Sequence, residues 1–85
     1  MKRGNKMYSV EMEENCSIIT TLDDDDAYED VKVTIANDGT VYMQQYNEGL
    51  IQEDMIYMSY SQLKDILNAI HSPEGCYYVV QKVTI

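Results

Sequence analysis

Nine carboxylates fall in a little over a quarter of the chain: Glu11, Glu13, Glu14, Asp23, Asp24, Asp25, Asp26, Glu29 and Asp30, with no Lys or Arg from Met7 to Val31. Carboxylates at this density can ligate a hard cation, work as an acid and base pair, or present a negative field to a basic surface. A calcium loop built on Asp24, Asp26 and Glu29 would need a glycine at its sixth position and a glutamate at its twelfth, and both are missing. No spacing selects a catalytic pair. The third chemistry remains. Carboxylates two apart on a strand, such as Glu11 and Glu13, lie roughly 6.6–6.8 Å apart at 3.3–3.4 Å per residue, close to the phosphate interval along one nucleic-acid strand. A duplex carries about one charge per 1.7 Å of axis, so nine charges on one side of a small domain could imitate a few base pairs. The plainer reading is a hydrated loop that keeps the protein in solution.

Tyrosine is the second candidate, for all eight aromatic residues are Tyr, at 8, 28, 42, 46, 57, 60, 77 and 78. A Tyr ring covers apolar area while its hydroxyl stays available to water or a partner, which suits half-exposed sheet faces and interfaces. Tyr28, Tyr42 and Tyr46 are the expected contacts, with Tyr42 and Tyr46 flanking Gln44. The plainer reading is that Tyr stands in for Phe in a core too small to bury its rings.

Catalysis and metal binding find no signature. His71 is the only histidine, and its neighbours Ser72 and Pro73 mark it as a helix-terminal cation or cap and not a base. Cys16 and Cys76 have no ligand pair or local activating context, so each is expected to act as a small buried hydrophobe. There is no Gly-rich phosphate loop and no nucleophile elbow. The expectation is a non-enzyme with no metal and no cofactor.

Length and charge set the frame. Eighty-five residues with 15 acidic and 6 basic side chains give −9, and outside Met7–Val31 six acids balance six bases. A chain this short forms a single domain, 1–85, that buries only about 60–65% of its unfolded surface. Residues 1–6 read as a flexible basic terminus with no signal-type apolar run after it, and no stretch reaches the ~18 apolar residues of a membrane span. A cytoplasmic protein with no membrane contact is expected. The net charge also opposes direct nucleic-acid binding, since the phosphate backbone would meet a field of its own sign.

Alternation dominates the elements that must position these groups. Met7–Met12 and Cys16–Leu22 read as a hairpin around Glu13-Glu14-Asn15, and Asp23–Asp26 as a loop of mutually repelling charges. Val31–Ile35 and Val41–Tyr46 flank Asn37-Asp38-Gly39, a strong hairpin signal. Asn47-Glu48-Gly49 reads as a turn of the same chemistry, leading into a strand from about Leu50 to Met58. The period then changes: Leu63, Ile66, Leu67 and Ile70 form one helical stripe, Ser59 and Gln62 form a capping box, and Pro73 and Gly75 end the helix. Cys76–Ile85 alternates again. The fold class expected is α+β, an antiparallel sheet of five or six strands with one helix, about 60–71, packed on it in the order β-β-β-β-β-α-β.

In size, in acid concentrated between Met7 and Val31, and in lacking catalytic or metal motifs, the chain resembles the small acidic phage-encoded anti-defence proteins, the anti-CRISPR and anti-restriction DNA mimics. The resemblance is one of class and rests on no family motif. It implies a stoichiometric inhibitor in the host cytoplasm whose acidic face occupies the basic nucleic-acid-binding surface of a defence protein or nuclease complex; the sequence leaves monomer and homodimer both open. Two other readings stay open. One is a single-strand nucleic-acid binder using Tyr42, Tyr46 and Tyr57 with Lys32, Lys64 and Lys82; the other is a small structural or assembly subunit pairing through its terminal strand.

Overall fold

A computed structural model describes residues 7–75. The expected basic terminus at 1–6 and the expected last strand at 76–85 lie outside the described residues. Five strands and one helix follow in chain order: β1 (Tyr8–Met12), β2 (Cys16–Thr21), β3 (Val31–Ala36), β4 (Thr40–Asn47), β5 (Gln52–Ser59) and α1 (Tyr60–His71). All neighbouring strands are antiparallel and their spatial order is their sequence order. This is the α+β meander that the alternation predicts, because short polar connections let each strand pair with the one before it.

Register sorts the side chains into two faces. On one, Val10, Ile19, Val33, Met43 and Ile56 form a row across all five strands, flanked by a second row of Met12, Ser17, Ile35, Val41 and Met58. The other face carries Glu11, Ile18, Thr34, Tyr42 and Tyr57 in one row, and Ser9, Thr20, Lys32, Gln44 and Met55 in the next. Val41 is the one fully buried hydrophobic side chain among the described residues, and Thr34 is the buried polar one. The described core is therefore thin.

Local chemistry fixes the connections. Gly39, at φ 90°, closes a three-residue β3–β4 loop by taking the left-handed position that a side chain resists, while Thr40 N–H donates to the Asp38 carboxylate at 2.9 Å. The β4–β5 turn differs from expectation. Gly49 is not in a left-handed conformation; Ile51 is, at φ 53°. The turn thus spans Glu48 to Ile51, and the strand begins at Gln52. Asn47 explains the shift, for its side-chain oxygen accepts Leu50 N–H at 3.1 Å and draws the chain into a wider loop.

The capping box closes as the sequence predicts: Gln62 N–H donates to Ser59 Oγ at 3.1 Å, and Ser59 N–H donates to Gln62 Oε1 at 3.0 Å. At the other end Ser72 turns extended ahead of Pro73, the conformation imposed on a residue before proline, and its hydroxyl donates to Ala69 O. α1 packs against β4 and β5, tied at its start by Tyr60 N–H donating to Gly39 O at 2.9 Å. Leu63 is half-buried there. Farther along, Ile66, Leu67 and Ile70 remain about half exposed, so the stripe is covered only near its amino-terminal turn.

Candidate functional site

In a meander, alternate connections share an end of the sheet. The β1–β2 turn and the β3–β4 loop lie at the pole where α1 begins, and Asn37 N–H donates to Asn15 O across them at 2.9 Å. The β2–β3 loop and the β4–β5 turn lie at the opposite pole. The nine sequence-predicted acids are divided accordingly. Glu13 and Glu14 sit at the helix pole, where a shallow groove of about 300 Å³ runs between the β1–β2 turn and Ala36–Asn37. Glu11 lies within β1, on the face that carries Lys32 and Tyr42. Asp23, Asp24, Asp25, Asp26, Glu29 and Asp30 occupy the other pole, roughly 20 Å away along the six residues of β2 at ~3.3 Å each. There they meet Glu48, Glu53 and Asp54, so nine of the fifteen acids gather at one end.

A groove of about 310 Å³ opens in this acidic pole, lined by Ala27, Tyr28, Glu29, Gln45, Tyr46, Asn47, Glu48 and Asp54. Asp23 organises one wall. Its carboxylate accepts the backbone N–H groups of Ala27 at 2.7 Å and Tyr28 at 3.0 Å, with Asp25 N–H at 3.4 Å. The Ala27 bond in particular holds Asp23 below its ordinary pKa, because a carboxylate accepting amide protons favours its charged form. Asp26, at φ 58°, makes the tight turn that permits this. Gln45 then pins the loop to β4, its side-chain amide donating to Glu29 O at 3.0 Å.

The opposite wall is built by amides on Asp54. Asn47 Nδ2 donates to one carboxylate oxygen at 3.0 Å and Gln52 Nε2 to the other at 3.1 Å, which lowers the Asp54 pKa. Glu29 is the contrary case. A hydrogen bond with the Glu48 carboxyl, partial desolvation, and the charges of Glu48, Asp30 and Asp26 push its pKa up. Two carboxyls thus face one another across the groove with more negative charge behind them. Such a pair is satisfied either by holding a proton or by receiving a cation.

Tyr28, 74% exposed, and Tyr46 wall the groove with aromatic surface. Carboxylates beside open tyrosine rings suit a lysine or arginine side chain, whose charge meets the acids while its stem lies against the rings. Tyr42 is placed differently from expectation. It is half-buried and lies opposite Tyr57, with ring centroids 5.6 Å apart at a tilt of 41°, so Tyr46 alone of the expected Tyr42 and Tyr46 pair reaches the groove. Sequence reasoning missed Glu48, Asp54 and Gln45. The signal lay in topology, since the turn at 47–49 must share a pole with the loop at 23–30. Among the described residues no three His, Cys, Asp or Glu converge in a metal-holding group, and no helix is long and apolar enough to cross a membrane.

Fold and groove together define a small α+β protein, whose described residues form a five-stranded meander followed by one helix, with an acidic, tyrosine-walled pole. The chain belongs to the family described as Domain of unknown function (DUF8831), whose model matches residues 9–69. The matched span runs from β1 into α1, so the family unit includes both walls of the groove. No curated protein and no solved structure matches the chain.

Proposed function

We propose that this protein is a non-enzymatic binding module whose acidic pole occupies a basic surface of a partner protein. In its sharpest form it is an inhibitor that displaces nucleic acid from a host-defence or nucleic-acid-processing protein. One observation carries the reading: nine acids gather around a groove in which Glu29 and Glu48 oppose each other between Tyr28 and Tyr46. A cationic side chain entering there relieves the repulsion between the two carboxyls, while the surrounding acids steer the encounter over a longer range. The tyrosines add the desolvated short-range contact that charge alone does not give.

The test is capture of partners from host lysate at low and high salt, followed by competition with duplex DNA. Asp23 is left intact in the test variant because it holds the loop; Asp24, Asp25 and Asp26 become Asn and Glu48 becomes Gln. Partner binding should be lost in the variant, weaken with salt in the native chain, and compete with DNA. A partner without a basic groove, or one held equally by the variant, defeats the reading. A second reading draws on the Tyr42–Tyr57 pair, which shares its sheet face with Lys32: a platform for stacking single-stranded bases. Titration with labelled single-stranded DNA separates the two.

A further inference from the structure

Among the described residues one face of the sheet is layered only in part: Val41 is buried near the helix pole, while toward the outer strands the face lies open. Its central row, Val10, Ile19, Val33, Met43 and Ile56, carries no charge, and Asp54 is the one carboxylate or base among the strand residues of that face. Ile56 is 61% exposed and Met12 86%. The helix is in the same condition, with Ile66, Leu67 and Ile70 each about half exposed. An apolar sheet face is stably covered by a helix or a second sheet. A lone extended segment laid over it would leave its own backbone N–H and C=O groups unpaired. The layer the face needs is a helix with an apolar stripe, and α1 is one, held by its junction with β5 at the helix pole.

We propose that two copies of this chain associate as a two-fold dimer in which α1 of each packs across the apolar sheet face of the other. A two-fold interface is self-complementary by construction: helix meets sheet and sheet meets helix. The available area fits. Val10, Met12 and Ile56 with Ile66, Leu67 and Ile70 expose the equivalent of about three and a half whole side chains, on the order of 700 Å² at roughly 200 Å² for a large side chain, against the ~800 Å² per partner of a standard interface. The charge distribution also fits. With α1 rooted at the pole opposite the acids, an antiparallel pair sets the two acidic poles at its far ends, where they repel least and both grooves stay open.

Sedimentation equilibrium of the full chain should give twice the 9.8 kDa chain mass, dissociating on dilution. Ile56→Lys and Leu67→Glu alter exposed positions, so each chain keeps its circular dichroism, yet each alone breaks both halves of the reciprocal contact and should weaken the dimer at least about a hundredfold. Mixing the two variants restores dimer, because one contact is then native and the other pairs Lys with Glu. A chain that stays monomeric at every concentration overturns the proposal. So does a dimer indifferent to both substitutions, as pairing through a strand edge would be, or a mixture that fails to reassociate.

Discussion

Replacing Ile51 by Asn should stabilise the protein, and the size of the gain follows from the turn. A β-branched residue at φ 53° is held where Cβ crowds the backbone, at a cost of about 1–2 kcal/mol. Asn visits that region with much less strain. The loss to set against this is small, because Ile51 is 78% exposed and complete burial of such a side chain is worth only ~1.5–3 kcal/mol; the covered fifth contributes about 0.5 kcal/mol. The net gain is about 1 kcal/mol, or roughly 4–8 °C in melting temperature for a domain of this size. Ile51→Gly should gain less, since glycine adds ~0.5–1 kcal/mol of unfolded-state entropy. Thermal melts and urea midpoints measure both, with Leu50→Asn as control: the same turn, similarly exposed, without positive φ. If Ile51→Asn melts no higher than native, or no higher than Leu50→Asn, the turn stores no strain and the reasoning fails.

The Glu29–Glu48 pair makes stability depend on pH. A carboxyl whose folded pKa is raised opposes folding while ionised, and the penalty vanishes below its unfolded value, so Glu48→Gln should raise the melting temperature at pH 7 and leave it unchanged near pH 4. By the same linkage, a cationic partner should expel a proton from Glu29 when it binds in mild acid, just above the ordinary glutamate value, which titration calorimetry in buffers of different ionisation enthalpy detects. Asp23 has the opposite sign. Its lowered pKa gives stability that is full above its unfolded value and lost as pH falls through the folded one, so Ala27 and Tyr28 amides should lose exchange protection in acid, and in Asp23→Ala at every pH. Gly75→Ala should destabilise the end of the helix, because an added Cβ meets the Ala69 carbonyl oxygen and carbon; helical ellipticity and melting temperature would both fall.

Strands and helix were readable in the residues because period two and period 3.6 leave different imprints, and the Ser59–Gln62 box is a purely local device. Pairing order followed from short connections. The β4–β5 turn was misjudged for a physical reason. Glycine permits positive φ without compelling it, and the hydrogen bond from Leu50 N–H to Asn47 decided the geometry instead. The acidic tract was legible as composition but not as a surface, since one six-residue strand is enough to send Glu13 and Glu14 to one pole and Asp23–Asp30 to the other. Glu48 and Asp54 were hidden in the same way, being neighbours of Glu29 through topology and not through sequence. The extent to which α1 leaves the sheet uncovered was beyond the stripe itself, which states that a helix needs a partner and not whether its own chain supplies one.

The meander's outer strands have a consequence of their own. Within the described sheet β1 and β5 each end the ladder with a row of backbone donors and acceptors, the template from which edge-to-edge ribbons grow. Both are marked with acid, Glu11 on one and Glu53 and Asp54 on the other, so the head-to-tail stacking that would prolong the sheet from molecule to molecule brings like charges together. The carboxylates on these edges keep an open-edged sheet from polymerising, and that restraint fades as the surroundings approach the isoelectric point near pH 4.2.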